Sequence, residues 1–271
     1  MTDDPFSLEG RVAVVTGGTG AIGRALATGL SRAGARVAVV ARGQVGLDRS
    51  VAALREGGAD AIGVKADVLE PDSLEAGRDA ILERFGAIHV LVNCAGGNVP
   101  AATVPDDMSP FDVPLDAYRE VVDLNLLGTL APIRVFGGSM EAAADCSIVN
   151  VSSAAAARAL TRVGGYGAAK AAIESFTRWL AVELARRATG IRVNAVAPGF
   201  FVGDQNRRML LQENGEPTER GRAIMDRTPL GRFGEPEELV STVVWLVSPG
   251  SRFVTGVVVP VDGGFSAFSG V

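Results

Sequence analysis

The sequence predicts an α/β fold, in which a single Rossmann-like, doubly wound parallel sheet of seven strands carries helices on both faces. Short apolar runs alternate with longer amphipathic segments along the chain, as in repeated strand–helix–strand units. The apolar runs are almost continuous in Val, Ile and Ala, which is typical of strands buried on both faces. Hydrophobic residues make up 47% of the 271 residues and charged residues 21%, a composition typical of a packed globular protein.

Each element is predicted from this alternation. The predicted strands are Val12–Val15, Val37–Val40, Ala61–Lys65, Val90–Val92, Ser147–Val151, Ile191–Ala197 and Val257–Val261. The predicted helices are Ala21–Ala33, Gly46–Glu56, Ser73–Phe85, Leu115–Gly137, Tyr166–Arg187 and Glu235–Val247. No shift in composition marks a second domain, so we expect residues 1–271 to form one domain.

Two long connections interrupt the alternation. Residues 96–114 are rich in proline and begin with a glycine pair, and residues 200–232 are rich in Arg and Glu. Both follow strands, so in an open parallel sheet they should lie at the carboxyl edge, where ligands bind. We therefore expect residues 96–114 and 200–232 to be substrate loops.

Charge, cysteine content and hydropathy indicate which partners, cellular location and metal sites to expect. The net charge of −5 argues against a nucleic-acid partner. Cys94 and Cys146 adjoin apolar runs and are expected to be buried thiols in a reducing compartment. No apolar stretch reaches the length of a membrane span, and Met1–Glu9 lacks the pattern of a secretory signal, so a cytoplasmic location is expected. His89 is the only histidine and stands alone, so no metal site is expected.

A glycine-rich turn follows the first strand and precedes a helix. It reads Thr16-Gly-Gly-Thr-Gly-Ala-Ile-Gly23. Glycines allow a tight turn and close approach to a pyrophosphate, and the helix N-terminus offers free N–H groups and partial positive charge. The alternative is a glycine-rich turn with no ligand, but the strand before it and the helix after it favour dinucleotide binding.

The end of the second strand bears on the form of the cofactor. Ala41 stands where a carboxylate would bind a ribose 2′-hydroxyl, and Arg42 follows it. A guanidinium can pair with a 2′-phosphate, so NADP is favoured over NAD. NAD stays open, because Arg42 could instead be a solvated loop residue.

Tyr166 and Lys170 form a possible reactive pair. Positions i and i+4 share one face of a helix, about 5–6 Å apart at Cβ. A free phenol has a pKa of about 10, and a nearby ammonium should lower that value. Such pairs are common by chance, so the pair gains weight only from the motifs around it.

Together these motifs resemble the short-chain dehydrogenase/reductase family over nearly the whole chain. The glycine turn matches that family's fingerprint apart from Ala21, which replaces the middle glycine. Other matching segments are Asp67-Val68, Asn93-Cys94-Ala95-Gly96, Asn125, Asn150-Val-Ser-Ser153, Tyr166-Gly-Ala-Ala-Lys170 and Pro198-Gly199. The resemblance implies an oxidoreductase that interconverts a ketone and a secondary alcohol using a nicotinamide dinucleotide.

The resemblance also implies a role for each site residue. Tyr166 would exchange the proton, Lys170 would lower the pKa of Tyr166 and hold the nicotinamide ribose, and Ser153 would bind the substrate oxygen. Asn125 would anchor a relay water, and Ser152 is the rival for the serine role. The implied cofactor-binding residues are Gly17, Thr19, Gly20, Ile22, Gly23, Arg42, Asp67, Val68, Asn93, Ala95, Gly96, Tyr166, Lys170, Pro198 and Gly199. Gly203 replaces the expected carboxamide-binding Thr, which leaves backbone groups or contacts beside Val196 for that task.

The substrate is suggested by a narrower resemblance, to the D-mannonate oxidoreductases (fructuronate reductases) of the family. It rests on segments that include Cys94–Asn98, Leu160–Arg162 and Asp204–Arg207. Polyhydroxy carboxylates need many hydrogen bonds and a guanidinium partner. The predicted substrate residues are Asn98, Arg158, Arg162, Gln205, Asn206 and Arg207.

Several alternatives stay open. Each of these arginines could instead form a surface or intersubunit ion pair. The enzyme could be of gluconate 5-dehydrogenase or 3-oxoacyl reductase type, and a non-catalytic dinucleotide-binding protein is the rival outside the enzymes. The family also implies a homotetramer, with the helices at 115–137 and 166–187 pairing across an interface.

Overall fold

The computed structural model describes residues 4–203 and 205–270, which form a seven-stranded parallel sheet with helices on both faces. The strand order is β3-β2-β1-β4-β5-β6-β7. The strands are β1 Val12–Thr16, β2 Arg36–Ala41, β3 Ala61–Lys65, β4 Val90–Asn93, β5 Ser147–Val151, β6 Arg192–Pro198 and β7 Val258–Val261. The predicted fold class and all seven predicted strands are confirmed, and no strand end differs from its prediction by more than one residue.

The helices cover both faces of this sheet. They are α1 Ala21–Arg32, α2 Gln44–Glu56, α3 Pro71–Phe85, α4 Leu115–Val122, α5 Gly128–Glu141, α6 Gly164–Arg186, α7 Arg207–Leu210, α8 Glu219–Asp226 and α9 Val240–Val247. Short 3₁₀ turns connect several of them, and the predicted helix at 235–247 divides into such a turn at Pro236–Leu239 followed by α9. The loop at 200–232 contains α7 and α8.

Burial follows position in the sheet. β1, β4 and β5 are buried at every residue. The prediction of strands buried on both faces is wrong for β7, which is mostly half-buried, and for β3, where two of the five residues are exposed. These are the two edge strands, each with a single neighbouring strand.

Two hydrophobic clusters lie on the two faces of the sheet. One contains residues of α1, α2 and α9, and the other contains residues of α3, α5 and α6. A third, smaller cluster holds the 96–114 loop against α4. Every cluster leaves the carboxyl ends of the strands accessible, which is where the predicted ligand loops begin.

The predicted helix at 115–137 is one helical segment interrupted by a π-helical turn. The turn spans Asp123–Leu127, between α4 and α5, and it contains Asn125. Such turns concentrate at functional sites. The whole segment Leu115–Glu141 is long and apolar enough to span a membrane by length and composition alone, which corrects the expectation that no such stretch exists. Within this segment Ile133, Phe136 and Met140 are buried in the cluster that covers one face of the sheet.

The predicted start of α6 at Tyr166 is two residues late. Helix α6 begins at Gly164, and Gly165 in its first turn lies against the ring of Tyr118. A Cβ at Gly165 would lie 2.6 Å from Cδ1 of that ring. Glycine usually disfavours a helix, but Gly165 allows the first turn of α6 to pack closely against Tyr118 of α4.

Candidate active site

A cavity of about 780 Å³ opens along the carboxyl edge of the sheet. Its walls come from the loops that follow β1, β2, β3, β4, β5 and β6, so residues distant in sequence meet there. This is the position expected of a ligand site in an open parallel sheet. Both long connections contribute, the first through Gly96 and Gly97 and the second through residues 201–203, 205 and 206.

The glycine turn builds one end of this cavity. Gly17 has a φ of +63°, and a Cβ there would lie 2.8 Å from the backbone of Ala95. At Gly23 a Cβ would lie 2.3 Å from the carbonyl oxygen of Gly17. Both glycines are therefore required by close backbone approach rather than by flexibility.

The first turn of α1 faces the same space. Gly20 is the N-cap residue and offers no side chain to satisfy the N–H groups of that turn. These donors and the helix dipole suit an anionic group such as a pyrophosphate. Thr16, which the sequence analysis did not single out, fixes the geometry: its buried Oγ1 accepts hydrogen bonds from the backbone N–H groups of Cys94 (3.2 Å) and Ala95 (3.3 Å).

The next part of the wall comes from the ends of β2 and β3. Arg42 lies here with a side chain that is 73% exposed, and its guanidinium is 3.8 Å from the Asp67 carboxylate. A pair this open to solvent is weak, about 0–1 kcal/mol. The Arg42 guanidinium is therefore available to a ligand in the cavity.

Most of the predicted cofactor-binding residues line the cavity. They are Gly17, Thr19, Gly20, Ile22, Gly23, Arg42, Asp67, Val68, Ala95, Gly96, Tyr166, Lys170, Pro198 and Gly199. Asn93 is the exception, which corrects its expected placement. It is buried inside the sheet, where its Nδ2 donates to Oδ1 of Asn150 at 2.9 Å and Asn150 in turn donates to Thr177. Asn93 therefore joins β4 to β5 and α6.

Ser153, Tyr166 and Lys170 meet on the wall opposite the glycine turn. Ser153 follows β5 and lies with Tyr166 on the cavity wall, whereas the neighbouring Ser152 is buried and donates to Oε1 of Glu174 at 2.9 Å. The structure thus leaves Ser153 as the serine beside the phenol. Ser152 instead connects the end of β5 to α6.

Lys170 is buried, with 4% of its surface exposed, and its Nζ donates to the carbonyl of Val151 at 2.8 Å. Burial lowers the pKa of Lys170 to about 8. The Nζ atom lies 5.6 Å from the centroid of the Tyr166 ring, so the predicted helix pair does share one face.

The expected effect of Lys170 on the pKa of Tyr166 is not seen. Burial raises the pKa of Tyr166, and the hydrogen bond with Ser153 opposes that rise only in part. The physical reason is desolvation, which disfavours the phenolate more than the surrounding groups stabilise it. In the cofactor-free protein Tyr166 is therefore a neutral phenol, the form that can donate a proton.

Asn125 does not line the cavity but lies directly behind its wall. Its side chain is bonded to both sides of Gly97: Nδ2 donates to the Gly97 carbonyl at 2.7 Å, and Oδ1 accepts from the Gly97 N–H at 3.0 Å. A Cβ on Gly96 would lie 2.7 Å from Asn125 Oδ1 and 3.3 Å from Lys170 Nζ. Asn125 thus holds the start of the 96–114 loop against Lys170.

The predicted substrate residues divide into two groups. Gln205 and Asn206 line the cavity. Gln205 reaches across its mouth, since a Cβ on Gly97 would lie 2.8 Å from Gln205 Oε1. Asn206 instead uses both ends of its amide within its own loop, accepting from the Gly203 N–H and donating to the Phe201 carbonyl, each at 2.8 Å. Asp204, part of the same motif, lies outside the described residues.

The other four residues lie off the cavity wall, which corrects their expected placement. Arg158 donates from Nε to the Ser266 carbonyl at 2.9 Å, and Arg162 forms an ion pair with Asp106. Both guanidinium groups bind acceptors in neighbouring loops and do not line the cavity. Arg207 is exposed on α7. Asn98 donates to Thr103 at 2.7 Å, while its Oδ1 is buried without a hydrogen-bond partner.

Sequence reasoning missed several residues of the site. Leu124, Phe201 and Val202 add apolar surface to the wall. Arg220 on α8 donates to Oγ1 and to the carbonyl of Thr161, which joins the 200–232 loop to the segment before α6. Leu124, Phe201 and Arg220 lie in segments that resemble the family, but the sequence analysis gave none of them a role in the site.

Both cysteines are free thiols. Cys146 is buried, as predicted, whereas Cys94 is half-buried and forms part of the cavity wall. Burial raises the pKa of each to about 11. His89 has a structural contact: its Nδ1 accepts from the backbone N–H of Val12 at 3.1 Å. Across residues 4–203 and 205–270, no three His, Cys, Asp or Glu side chains group in a way that could hold a metal ion.

The fold, the glycine turn and the Ser–Tyr–Lys arrangement define a class of protein. A short-chain dehydrogenase family model, described as enoyl-(acyl carrier protein) reductase, matches residues 17–266. The chain belongs to the short-chain dehydrogenase/reductase family and is an NAD(P)-dependent oxidoreductase.

Individual relatives are similar over their full length. An uncharacterized oxidoreductase of Bacillus subtilis, UxuB, is 42% identical over 98% of both chains. A Haemophilus influenzae structure with bound NAD, provisionally described as a D-mannonate oxidoreductase, has a TM-score of 0.92 and 39% identity over 98% of both chains. A Beutenbergia cavernae structure with NADP bound at low occupancy, provisionally described as a gluconate 5-dehydrogenase, has a TM-score of 0.87 and 35% identity, covering 98% of this chain and 100% of that one.

Proposed function

We propose that this protein reduces the ketone of a keto-sugar acid of the D-fructuronate type to the secondary alcohol, with NADP as the preferred cofactor. The observation that carries the chemistry is that Ser153, Tyr166 and Lys170 line one cavity together with the glycine turn. The observation that favours a polar substrate is Gln205 at the mouth of that cavity.

The cavity fits a nicotinamide dinucleotide. Gly17 and Gly23 leave room where a Cβ would clash with backbone, and the first turn of α1 offers unsatisfied N–H donors. When bound, the dinucleotide supplies the hydride for reduction or accepts it in oxidation. Within the proposal, the residues that hold it are the cavity-lining set described above.

The residues of the chain supply the remaining steps. Ser153 donates a hydrogen bond to the substrate oxygen and stabilises the negative charge that develops there. Tyr166 transfers its phenolic proton to that oxygen, acting as general acid. Lys170 holds the ribose and returns a proton towards Tyr166. Asn125 keeps Gly96 and Gly97 in place beside Lys170 and, as the family resemblance implies, anchors a water for that return.

Substrate binding is proposed to fall to three of the predicted residues. Gln205 lines the cavity beside Gly97, and the Oδ1 of Asn98, the residue after Gly97, is an unpartnered acceptor that is proposed to bind a sugar hydroxyl. Arg207 is exposed on α7 beside Asn206, and its guanidinium is the one proposed to meet the carboxylate. Arg158 and Arg162 are excluded from direct contact in this proposal because their guanidinium groups already have partners.

The NADP preference rests on Ala41 and Arg42. Ala41 leaves no carboxylate at the end of β2 to repel a 2′-phosphate, and the exposed Arg42 guanidinium lines the same part of the cavity. The similar structures do not decide between the two cofactors, because one contains NAD and another contains NADP. NAD therefore remains the alternative that a direct comparison of the two cofactors has to exclude.

A second function is favoured by the apolar part of the wall. Leu124, Phe201 and Val202 would suit an acyl chain, as in a 3-oxoacyl reductase. The polar mouth around Gln205 favours the sugar acid over this second candidate. An activity of the gluconate 5-dehydrogenase type also remains an alternative to the D-fructuronate reductase.

A substrate panel separates these functions. Oxidation of NADPH and NADH is followed with uronates, ketogluconates, 3-oxoacyl thioesters and simple ketones. We expect kcat/KM for D-fructuronate to exceed that for a simple ketone by at least about 100-fold, or about 2.7 kcal/mol of transition-state binding. Equal rates with simple ketones would refute the sugar-acid proposal, and a preference for 3-oxoacyl thioesters would establish the second candidate. Absence of all turnover would point to the non-catalytic alternative.

The remaining proposals concern the state of the protein in the cell. Residues 1–271 are proposed to act as one dinucleotide-binding and catalytic domain. The protein is proposed to be a cytoplasmic homotetramer with α4, α5 and α6 at an interface, which size-exclusion chromatography with light scattering would test.

A further inference from the structure

A second cavity of about 450 Å³ lies at the opposite, amino edge of the sheet. It is bounded by the end of α6, the start of β6 and the end of α9. Its volume is within the range of small-molecule pockets, roughly 300–1,000 Å³. It shares no residue with the active-site cavity, so a ligand bound here does not depend on the proposed function.

The ionisable groups that line this cavity are unbalanced. Arg11, Arg192 and Arg252 face a single carboxylate, that of Asp145. The Asp145 carboxylate is 3.4 Å from Arg11 and 3.6 Å from Arg252. One carboxylate neutralises one guanidinium, which leaves two positive charges at the cavity wall.

The arginines differ in how far the protein itself satisfies them. Arg192 donates to the carbonyls of Val254 (3.1 Å) and Ser248 (3.3 Å), and Arg11 donates to those of Ala144 and Asp145, both at 2.9 Å. Arg252 is different, because its side chain is 64% exposed and, among the residues that the structure describes, its guanidinium is held only by the long ion pair with Asp145. The N–H groups of Arg252 therefore remain open to a ligand.

Two further observations indicate that this arrangement of charges and backbone costs the protein folding stability. Burial lowers the pKa of Arg192, and the positive charges of Arg11 and Arg252 lower it further against the opposing effect of Asp145. Asp145 and Ala188, which both line the cavity, have positive φ angles of 55° and 54°. Backbone strain of this kind clusters at functional sites and costs about 1–3 kcal/mol per residue.

A purely structural role does not account for all three arginines. Arg192 and Arg11 bond carbonyls near the ends of helices, where cations are favourable. Arg252 adds a third like charge that bonds no such carbonyl through its guanidinium. We propose that this cavity binds a phosphate group between Arg252, Arg11 and Arg192, either as free phosphate or as part of a phosphorylated small molecule.

The test uses inorganic phosphate with the dinucleotide site filled by saturating NADP, so that phosphate cannot bind at the glycine turn. Thermal unfolding and titration calorimetry are run at constant ionic strength, with chloride as the replacement anion. We expect a saturable rise in Tm with phosphate and none with chloride. Arg252→Gln should weaken phosphate binding at least tenfold, because two charge-assisted hydrogen bonds are lost.

Two further variants keep the result interpretable. Arg119→Gln removes a guanidinium that is similarly exposed and paired with one carboxylate, Asp116, outside both cavities, and it should bind phosphate as the wild type does. Asp145→Asn removes the competing internal carboxylate and should tighten binding severalfold. Glucose 6-phosphate in place of phosphate distinguishes the two sources: tighter binding indicates a phosphorylated metabolite, and equal or weaker binding indicates free phosphate.

The proposal is overturned by either of two results. One is a wild-type protein whose Tm responds equally to phosphate and chloride. The other is a phosphate affinity that Arg252→Gln leaves unchanged. Retained NADPH binding by Arg252→Gln shows that the variant is folded, so neither result can be assigned to loss of structure.

Discussion

Lys170 gives the stability of this protein a pH dependence that can be worked out from the structure. Burial lowers its pKa from 10.5 in the unfolded chain to about 8 in the folded one. The unfolded state therefore binds more protons between pH 8 and 10.5, and the contribution of Lys170 to stability rises with pH in that window. By this linkage, the folded state gains about 1 kcal/mol from Lys170 between pH 7 and pH 9.

The assay compares wild type with Lys170→Met by urea denaturation of the cofactor-free protein at pH 7, 8 and 9. The difference in unfolding free energy, wild type minus variant, should rise by about 1 kcal/mol over this range. The raised pKa values of Cys94 and Cys146 act in the opposite direction above pH 9, but both proteins contain them and their effect cancels in the difference.

A matched control is available within the chain. Lys65 is the other lysine and is exposed at the end of β3, so Lys65→Met should show the same pH dependence as wild type. If the wild-type and Lys170→Met profiles run parallel, or if their difference falls as pH rises, Lys170 is not a desolvated ammonium and the reasoning is refuted.

Three other substitutions test the site. Arg42→Ala should raise KM for NADPH at least about tenfold, because a guanidinium–phosphate pair is lost, and should change KM for NADH less than about twofold. Equal increases in KM for both cofactors in steady-state assays would exclude the NADP assignment. Gly96→Ala should reduce kcat about 100-fold, since its Cβ would lie 2.7 Å from Asn125 Oδ1, whereas Gly137→Ala, with open space around it, should be neutral. Gln205→Ala should raise KM for the keto-sugar acid about tenfold with a smaller change in kcat, and a pure kcat effect would contradict a binding role.

Sequence periodicity predicted the sheet well because its strands are short, apolar and separated by regular helices. All seven strands were located, but the strand order, which places the glycine turn beside β4, was not predicted and is known from the structure. Burial at the two edges was predicted less well. An edge strand such as β7 carries the same apolar residues as a central strand, and only its place in the sheet exposes it.

The cofactor end of the site was predictable because backbone geometry constrains it. A Cβ at Gly17 or Gly23 would lie 2.8 Å or less from backbone atoms, so only glycine fits at these positions. A requirement of this kind appears in the sequence as a glycine motif. Asn93 was misplaced for a related reason: a polar residue at the end of a strand can face a ligand or bond the next strand, and the sequence does not distinguish the two.

The substrate end could not be predicted to the same degree. Arg158 and Arg162 have the chemistry for a carboxylate, but each bonds a protein acceptor close to it in the folded chain. Those acceptors, the Ser266 carbonyl and Asp106, lie 108 and 56 residues away in the sequence. Pairings over such separations depend on how loops pack, which no local pattern encodes.

The pKa of Tyr166 shows the same limit at the catalytic centre. The helix spacing correctly placed Lys170 on the face of α6 that carries Tyr166, and it suggested a lowered phenol pKa. The structure gives a raised pKa because burial of the ring outweighs the polar groups around it. Spacing reports which residues meet, whereas the pKa depends on how much water the surrounding fold excludes.

Tyr166 is proposed to donate the proton when this NAD(P)-dependent oxidoreductase reduces a ketone. Steady-state reduction of D-fructuronate by wild type and Tyr166→Phe, with NADPH affinity measured on both by fluorescence titration, tests this role. We expect a loss of kcat of at least about 1,000-fold with a cofactor Kd within about twofold of wild type. A Tyr166→Phe variant that keeps more than about a tenth of the wild-type kcat would contradict it.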